Sequence, residues 1–310
     1  MSLNDLTGPG DGPEAADLVR PLTHGPKRIL LAAGERSPLL ALIRASELAA
    51  ELEAELHVLR VLAPPRGLPA TDTPQKSAEI RLFEAVLGCQ QETRTLWAQV
   101  LGRNGGDARI DVRVGPFVAE VAQHAAALHA MLVVVPAHDA ELGARVTLIA
   151  RTLDLPVLVA RPPAKGETIL AATDLRDPTY PILQLAANLA RHLALSVIAL
   201  HNFTPLRVDT FLRASGPVSS AEQDELTACA QRLDVATGAL DAPSEGVVAC
   251  LASTVDAILG LARSSGSDVI VVGTRAQPVG ATALPPSVAS EVAERAVSSV
   301  LVAPLRGVLH

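Results

Sequence analysis

The chain of 310 residues contains few aromatic residues, which make up only 2% of it. Proteins that bind single-stranded nucleic acid stack bases on aromatic side chains, so such platforms are not expected here. The net charge of −7 likewise argues against a general binder of phosphate backbones. Because 49% of the residues are hydrophobic, the core must be built from alanine, valine, leucine and isoleucine. Such side chains suit helices that pack closely on a parallel sheet.

Cysteine is also scarce: the chain has only Cys89, Cys229 and Cys250, at spacings that match no zinc or CxxC pattern. A sparse, odd set indicates a reducing compartment. The N-terminal segment lacks the pattern of a signal peptide, and no uncharged apolar run reaches the roughly 18 residues that would span a bilayer. We therefore expect a cytoplasmic protein with no membrane or nucleic-acid partner. Cys89 and Cys250 lie in apolar segments, which predicts buried, inert thiols.

Three motifs of common enzymes are absent: the nucleophile elbow, HExxH and GxxxxGK[ST]. His138, Asp139 and Glu141 are adjacent polar residues, but three polar residues in one surface loop usually reflect solvation. Packing and capping account for His192 and His201. The sequence therefore predicts no catalytic constellation and no metal site.

A repeat of about 140 residues organises the chain. ILLAAGERS at 29–37 corresponds to ILAATDLRD at 169–177, MLVVVPA at 131–137 to VIVVGTR at 269–275, and LPVLVARP at 155–162 to SSVLVAPL at 298–305. The corresponding residues Ile29 and Ile169 are 140 positions apart, Pro136 and Gly273 are 137 apart, and Pro156 and Ser299 are 143 apart. Three segments in the same order at nearly one offset indicate two copies of one fold.

Each copy alternates strands and helices, which predicts a parallel, doubly wound five-stranded α/β sheet. In copy two the strands are expected at 168–173, 195–201, 245–250, 268–272 and 299–303. The predicted divisions are a mobile arm at 1–26, copy one at 27–162 and copy two at 163–310. The last strands, at 156–160 and 299–303, are apolar edge strands, and such edges are normally covered or paired. We therefore expect the copies to pack as a pseudo-dimer through them.

This plan resembles the universal stress protein family in its tandem, flavodoxin-like form. In copy two, ILAATDLRD resembles the first strand of the family, whose terminal Asp contacts the nucleotide. The stretch from SDVIVVGTRA to SVASEVAERAVSSVLVAPL resembles its fourth strand, phosphate loop, last helix and last strand. The resemblance implies an adenine-nucleotide site, with ATP as the first candidate ligand. The candidate site residues are Thr173, Asp174, Gly273, Arg275, Gly280, Ser287 and Val288.

Both copies depart from the glycine pattern of ATP-binding members, which is Gly, two residues, Gly, nine residues, then Gly and Ser or Thr. Copy two has Ala276 and Pro286 at the second and third glycine positions. A proline at that point removes an amide donor where a helix N-terminus would meet phosphate. Copy one has Gly34 in place of the Asp and Pro136 in place of the first Gly, with six fewer residues in the loop. The site is therefore expected in copy two alone, and weakened.

Each candidate residue also has a simpler explanation. Asp174 is equally well explained as a cap of the turn or helix after the strand. Ser287 suits a helix N-cap, and Gly273 a tight strand-to-loop turn. Arg275 suits a solvated loop position.

Three functions remain open on this basis. The first is a universal-stress-type regulatory or binding protein with one weak adenine-nucleotide site, without enzymatic activity. The alternative is a protein-interaction scaffold that binds no nucleotide. A nucleotide-hydrolysing enzyme is the third, but it would need a base or metal ligand beside the phosphates, and Asp174 is the only candidate. Protein partners are unknown, and a homodimer is possible besides the internal pseudo-dimer.

Overall fold

The computed structural model describes residues 27–64, 74–102, 109–137, 142–164, 166–176, 179–204, 220–275 and 287–305, with only the backbone described for residues 74–78. The predicted arm at 1–26, the polar group His138, Asp139 and Glu141, and Gly280 lie outside these residues. Inside them, the five strands predicted for copy two and the last strand of copy one are present, and strands and helices alternate as predicted.

Copy one alternates strands and helices as expected. Its elements are β1 (Arg28–Ala33), α1 (Leu39–Glu51), β2 (Glu55–Leu62), α2 (Pro74–Leu101), β3 (Ile110–Val114), α3 (Phe117–Leu128), β4 (Leu132–Pro136), α4 (Leu142–Leu153) and β5 (Val157–Ala160). The continuous apolar run of β1 reflects burial, because Ile29 to Ala33 are fully buried.

Copy two repeats the plan. Its elements are β6 (Thr168–Ala172), α5 (Pro181–Leu193), β7 (Ser196–Asn202), α6 (Ser220–Gly238), β8 (Ser244–Ala249), α7 (Thr254–Ser264), β9 (Val269–Arg275), α8 (Val288–Arg295) and β10 (Ser299–Leu305). Most bounds agree with the prediction within two residues. The exception is β9, which runs three residues past its predicted end because β10 continues beside it, with Ala303 opposite Gly273 and Leu305 opposite Arg275.

The ten strands of the described residues form one sheet, in the order β3-β2-β1-β4-β5-β10-β9-β6-β7-β8. Strands within each copy are parallel, whereas β5 and β10 pair antiparallel, with Val159 opposite Val300. The predicted pseudo-dimer through the last strands is therefore confirmed. Pairing gives each edge strand the backbone hydrogen bonds that it would otherwise lack.

The helices cover the two faces of this sheet. One apolar core contains buried residues of α1, α2, α5 and α6, such as Leu42, Trp97, Ile182 and Leu233. The opposite core contains residues of α3, α4, α7 and α8. Both cores run through both copies, so the two repeats share one continuous interior.

A buried ion pair joins the copies on the first face. The Arg44 guanidinium on α1 donates to the Asp268 carboxylate, which directly precedes β9, and both side chains are more than nine-tenths buried. Asp268 also accepts from the Ala164 backbone N–H at 3.0 Å, while Arg44 reaches the exposed Glu47 at 3.3 Å.

The corresponding place in the other half is apolar. Met131 directly precedes β4 as Asp268 precedes β9, and it lines a cavity together with Leu185 of α5 and Leu48 of α1. The cavity volume is about 40 Å³. The two halves therefore differ at equivalent positions: one has the charged pair Arg44–Asp268, and the other has Leu185 and Met131.

On the second face, α4 of copy one packs directly against α8 of copy two. A Cβ atom on Gly143 would lie 2.1 Å from the Ser290 carbonyl oxygen and 2.8 Å from its carbon. Nearby, the buried Arg161 guanidinium donates to the Ala293 carbonyl at 2.5 Å, near the end of α8. Burial lowers the pKa of Arg161 from its usual value. The glycine thus permits a close helix approach, and the arginine satisfies a carbonyl at the helix end.

The cysteines differ in one respect from expectation. Cys89 and Cys229 are buried, and burial raises the pKa of the Cys89 thiol. Cys250 is exposed, so the expectation that it would be buried was wrong. It follows the last residue of β8, which is the edge strand of the sheet, and the apolar run around it therefore faces solvent in part.

Candidate functional site

The switch-point crevice, as we call the region where the carboxyl ends of β6 and β9 meet, contains the candidate residues Asp174 and Arg275. β6 pairs with β7 on one side and with β9 on the other. In open parallel sheets, ligands bind outside the carboxyl ends of the strands, at the point where the chain changes direction across the sheet. The topology therefore puts these two residues where such a fold places a ligand.

Asp174 and Arg275 form an ion pair across this crevice. The distance from Arg275 Nη2 to Asp174 Oδ2 is 2.5 Å, and about half of each side chain is exposed. Arg275 is the last residue of β9, and Asp174 follows the end of β6. Arg275 is half solvated, as the simpler explanation predicted, but it ends a strand and has an ionic partner, so its interpretation as a loop residue was wrong.

The turn after β6 is stabilised by its own side chains. The Thr173 hydroxyl accepts from the Leu175 N–H at 3.2 Å, and the Asp174 carboxylate accepts from the Arg176 N–H at 3.1 Å. Leu175 is buried and has a φ of 55°, in the left-handed region. A ring nitrogen of His201 lies 3.0 Å from the Thr173 carbonyl oxygen. The capping role considered for Asp174 is thus present, but it uses one carboxylate oxygen and leaves the other to Arg275.

Gly273 lies inside β9, so the interpretation of this glycine as a turn was wrong. A Cβ atom at this position would lie 2.6 Å from a Leu305 side-chain carbon and 3.2 Å from one of Ile182, so these side chains pack directly on the Gly273 backbone. β9 can therefore pass close to the first turn of α5.

Ser287 is the N-cap of α8, as the simpler explanation predicted. Its hydroxyl accepts from the Ser290 N–H at 3.1 Å, and the Ser287 N–H donates to the Ser290 hydroxyl at 2.9 Å, which forms a capping box. Val288, the first residue of α8, is exposed. The structure joins Asp174 and Arg275 in an ion pair, with Thr173 in the same turn as Asp174 and Gly273 in the same strand as Arg275. Gly280, Ala276 and Pro286 lie outside the described residues.

In copy one, the sequence analysis did not identify Arg60, which binds the loop after β1, the loop that corresponds to the turn of Asp174 in copy two. Arg60 on β2 is fully buried and donates to the carbonyls of Gly34 and Glu35, each at 3.0 Å. It also donates to the Thr93 hydroxyl at 3.1 Å and lies 3.6 Å from the Glu92 carboxylate. Its position corresponds to that of His201, since both reach the loop after the first strand of their copy. The only signal in the sequence was a charged residue within the apolar run HVLRVLA.

A residue of copy one also reaches the strand that leads to the crevice. Arg151 Nε on α4 donates to the Thr274 hydroxyl at 2.8 Å, and Thr274 is buried between Gly273 and Arg275 in sequence. The end of β9 is therefore held from the other half of the chain.

The described residues contain no group of three or more histidine, cysteine or acidic side chains placed to hold a metal ion. In the same residues, no helix combines the length and apolarity needed to cross a bilayer.

Comparison with known proteins is consistent with this architecture. A universal stress protein from Archaeoglobus fulgidus superposes with a TM-score of 0.59 at 13% identity, over 89% of this chain and 96% of that one. A putative universal stress protein from Pseudomonas aeruginosa superposes at 0.57 with 18% identity, over 92% and 95%. No curated protein sequence matches the chain. At such identities the structures show the fold alone.

The family model of the universal stress proteins matches the chain twice, over residues 25–161 and 166–304. The two matches together span nearly the whole chain, in agreement with the repeat in the sequence and the two halves of the sheet. The chain therefore belongs to the universal stress protein family, as a member with two tandem domains.

Proposed function

We propose that the chain is a universal-stress-type regulatory protein that binds an adenine nucleotide, such as ATP, in the switch-point crevice of copy two. The observation that carries this proposal is the Asp174–Arg275 pair, which puts an acceptor for ribose or base and a donor for phosphate on neighbouring strand ends. A carboxylate and a guanidinium are suitable partners for these groups. The proposed role is binding rather than catalysis.

Copy one is proposed to be structural. The place of Asp174 is taken by Gly34, and the carbonyls of the loop after β1 are already bound by the buried Arg60. Displacing these part-buried carbonyls from Arg60 would leave its fully buried guanidinium without two of its acceptors, which costs free energy. A nucleotide would therefore have to compete with an intact internal network in copy one.

Substituting Asp174 tests the site. In nucleotide-stripped full-length protein, Asp174→Ala should weaken ATP binding about tenfold or more, because a hydrogen bond to a charged group contributes about 1.5–3 kcal/mol. Isothermal titration with ATP, ADP and AMP measures the effect. The matched control is Asp241→Ala. Asp241 is an exposed aspartate paired with Arg191 at 2.9 Å, and it precedes the amino end of β8, whereas the crevice lies at the carboxyl ends of β6 and β9. Equal losses in both variants would contradict the proposal.

Restoring the glycines of the family pattern should strengthen binding. Ala276→Gly combined with Pro286→Gly returns an amide donor at position 286, and the affinity for ATP should rise about tenfold. Unfolded-state entropy should lower stability slightly at the same time, which a thermal melt of the same variant would measure. Unchanged or weaker ATP binding would instead favour the scaffold.

The scaffold without nucleotide remains the second candidate because of one observation. The Ser287 hydroxyl and the Ser290 N–H already satisfy each other at the start of α8. A phosphate bound there would have to displace or share these groups. Absence of binding by ATP, ADP and AMP to the unsubstituted chain would select this alternative.

A further inference from the structure

We infer that Arg275 sets the ligand preference of the switch-point crevice: it pairs with Asp174 in the unliganded chain and exchanges that partner for phosphate, so that nucleotides are favoured over nucleosides. This inference rests on the proposed function and adds a selection rule to it.

The closure is visible in the hydrogen bonds of Asp174. One carboxylate oxygen, Oδ1, accepts from the Arg176 backbone N–H, and the other, Oδ2, accepts from the Arg275 guanidinium. The first bond belongs to the turn itself. The second bridges 101 residues and two strand ends, so it is the contact that a ligand must replace to reach Oδ2.

Arg275 is placed to exchange partners. About half of its side chain is exposed, and it ends β9, the strand that contains Gly273. The backbone behind it is held in place, because the preceding Thr274 is buried and bonded to Arg151 of copy one. The guanidinium can therefore turn while its Cα stays fixed. A phosphate can accept from the guanidinium through two oxygens and carries more negative charge, whereas Asp174 accepts from it through Oδ2 alone.

The two classes of ligand should therefore respond in opposite ways. A nucleoside without phosphate must break the Asp174–Arg275 pair and gives Arg275 nothing in return. A nucleotide breaks the same pair and supplies a new anion. Exposed ion pairs contribute little to free energy, so the penalty for a nucleoside is moderate. The loss of a charged contact to phosphate is larger.

The test compares ATP with adenosine in full-length, nucleotide-stripped protein by isothermal titration. Arg275→Gln should weaken ATP binding about tenfold or more and tighten adenosine binding up to about fivefold. Arg275→Lys keeps the charge without the planar guanidinium, so its affinities for ATP and adenosine should lie between those of the unsubstituted chain and of Arg275→Gln. The control is Arg191→Gln, which removes the exposed arginine of the Arg191–Asp241 pair, near the end of α5 and before the amino end of β8. It should leave the ratio of the two affinities unchanged.

The outcomes separate this inference from the proposed function. Binding of neither ligand by the unsubstituted chain overturns the proposed function and the inference together. Binding of both, with Arg275→Gln changing both affinities in the same direction or leaving adenosine unaffected, overturns the inference alone. Opposite shifts confirm it, and circular dichroism of each variant verifies that the fold is intact.

Discussion

Asp268→Met should lower the free energy of unfolding by about 3–5 kcal/mol, because it leaves the Arg44 guanidinium buried without its carboxylate. Arg44→Leu should cost a similar amount, since Asp268 would retain only the Ala164 N–H at 3.0 Å. The double variant should recover much of the loss. It replaces the ion pair by leucine and methionine, the residues Leu185 and Met131 that line the corresponding place in the other half. Well-packed apolar residues often replace a buried ion pair without net cost.

Urea denaturation of the four proteins measures this cycle through the transition midpoint and slope. The expected signature is a large favourable coupling between the two substitutions. Glu47, at 3.3 Å from Arg44, is exposed and can compensate only a part of the lost charge. If the double variant loses as much free energy of unfolding as the two single variants together, Arg44 and Asp268 are not coupled, which contradicts the prediction.

Gly143→Ala should destabilise the chain by about 1–3 kcal/mol or more, as overpacking does in a close-packed interior. The added Cβ atom would lie 2.1 Å from a backbone oxygen of Ser290, so α4 and α8 would have to separate. Where a helix position has open space around it, a Gly→Ala substitution should instead raise the free energy of unfolding, since alanine favours the helix by about 1 kcal/mol.

Gly260→Ala provides the matched control for this prediction. Gly260 lies within α7, and a Cβ atom there would have no heavy atom within 4 Å. This variant should be neutral or more stable than the unsubstituted chain, by thermal or urea denaturation. Stabilisation by Gly143→Ala as well would show that the two helices do not approach as closely as described.

Gly143 also occupies a notable position in the repeat. With the offset of 143 positions between Pro156 and Ser299, Gly143 corresponds to Pro286, the third glycine position of the family pattern. Copy one therefore retains a glycine where copy two has lost it. The structure accounts for this glycine by helix packing between the copies, so its presence is no sign of a phosphate site.

Much of the fold could be predicted from the sequence, because its causes are local and periodic. A strand buried on both faces requires a continuous apolar run, as in β1, and a covered helix requires a stripe such as that of α1. Repetition of these segments indicates two copies. The apolar character of β5 and β10 was enough to predict that they meet, since unpaired apolar edges are disfavoured.

The candidate site was predicted only in part. The family motifs made Asp174 and Gly273 candidates, and their role in binding stays a prediction, whereas the N-cap predicted for Ser287 is present. The partner of Arg275 was missed, as was the role of Arg60. A charged residue in a strand or loop shows that it needs a partner or solvent, but the spacing of residues does not identify that partner.

The sequence by itself therefore determined the elements, their order, the two-fold repeat and the strands at which the copies join, because each follows from burying apolar surface with a fixed period. Only the tertiary structure decided which polar groups meet: Asp174 with Arg275 across 101 residues, and Arg44 with Asp268 across 224. It also decided that β9 extends to Arg275 beside Leu305. These contacts depend on the relative placement of distant strand and helix ends, which no local periodicity encodes.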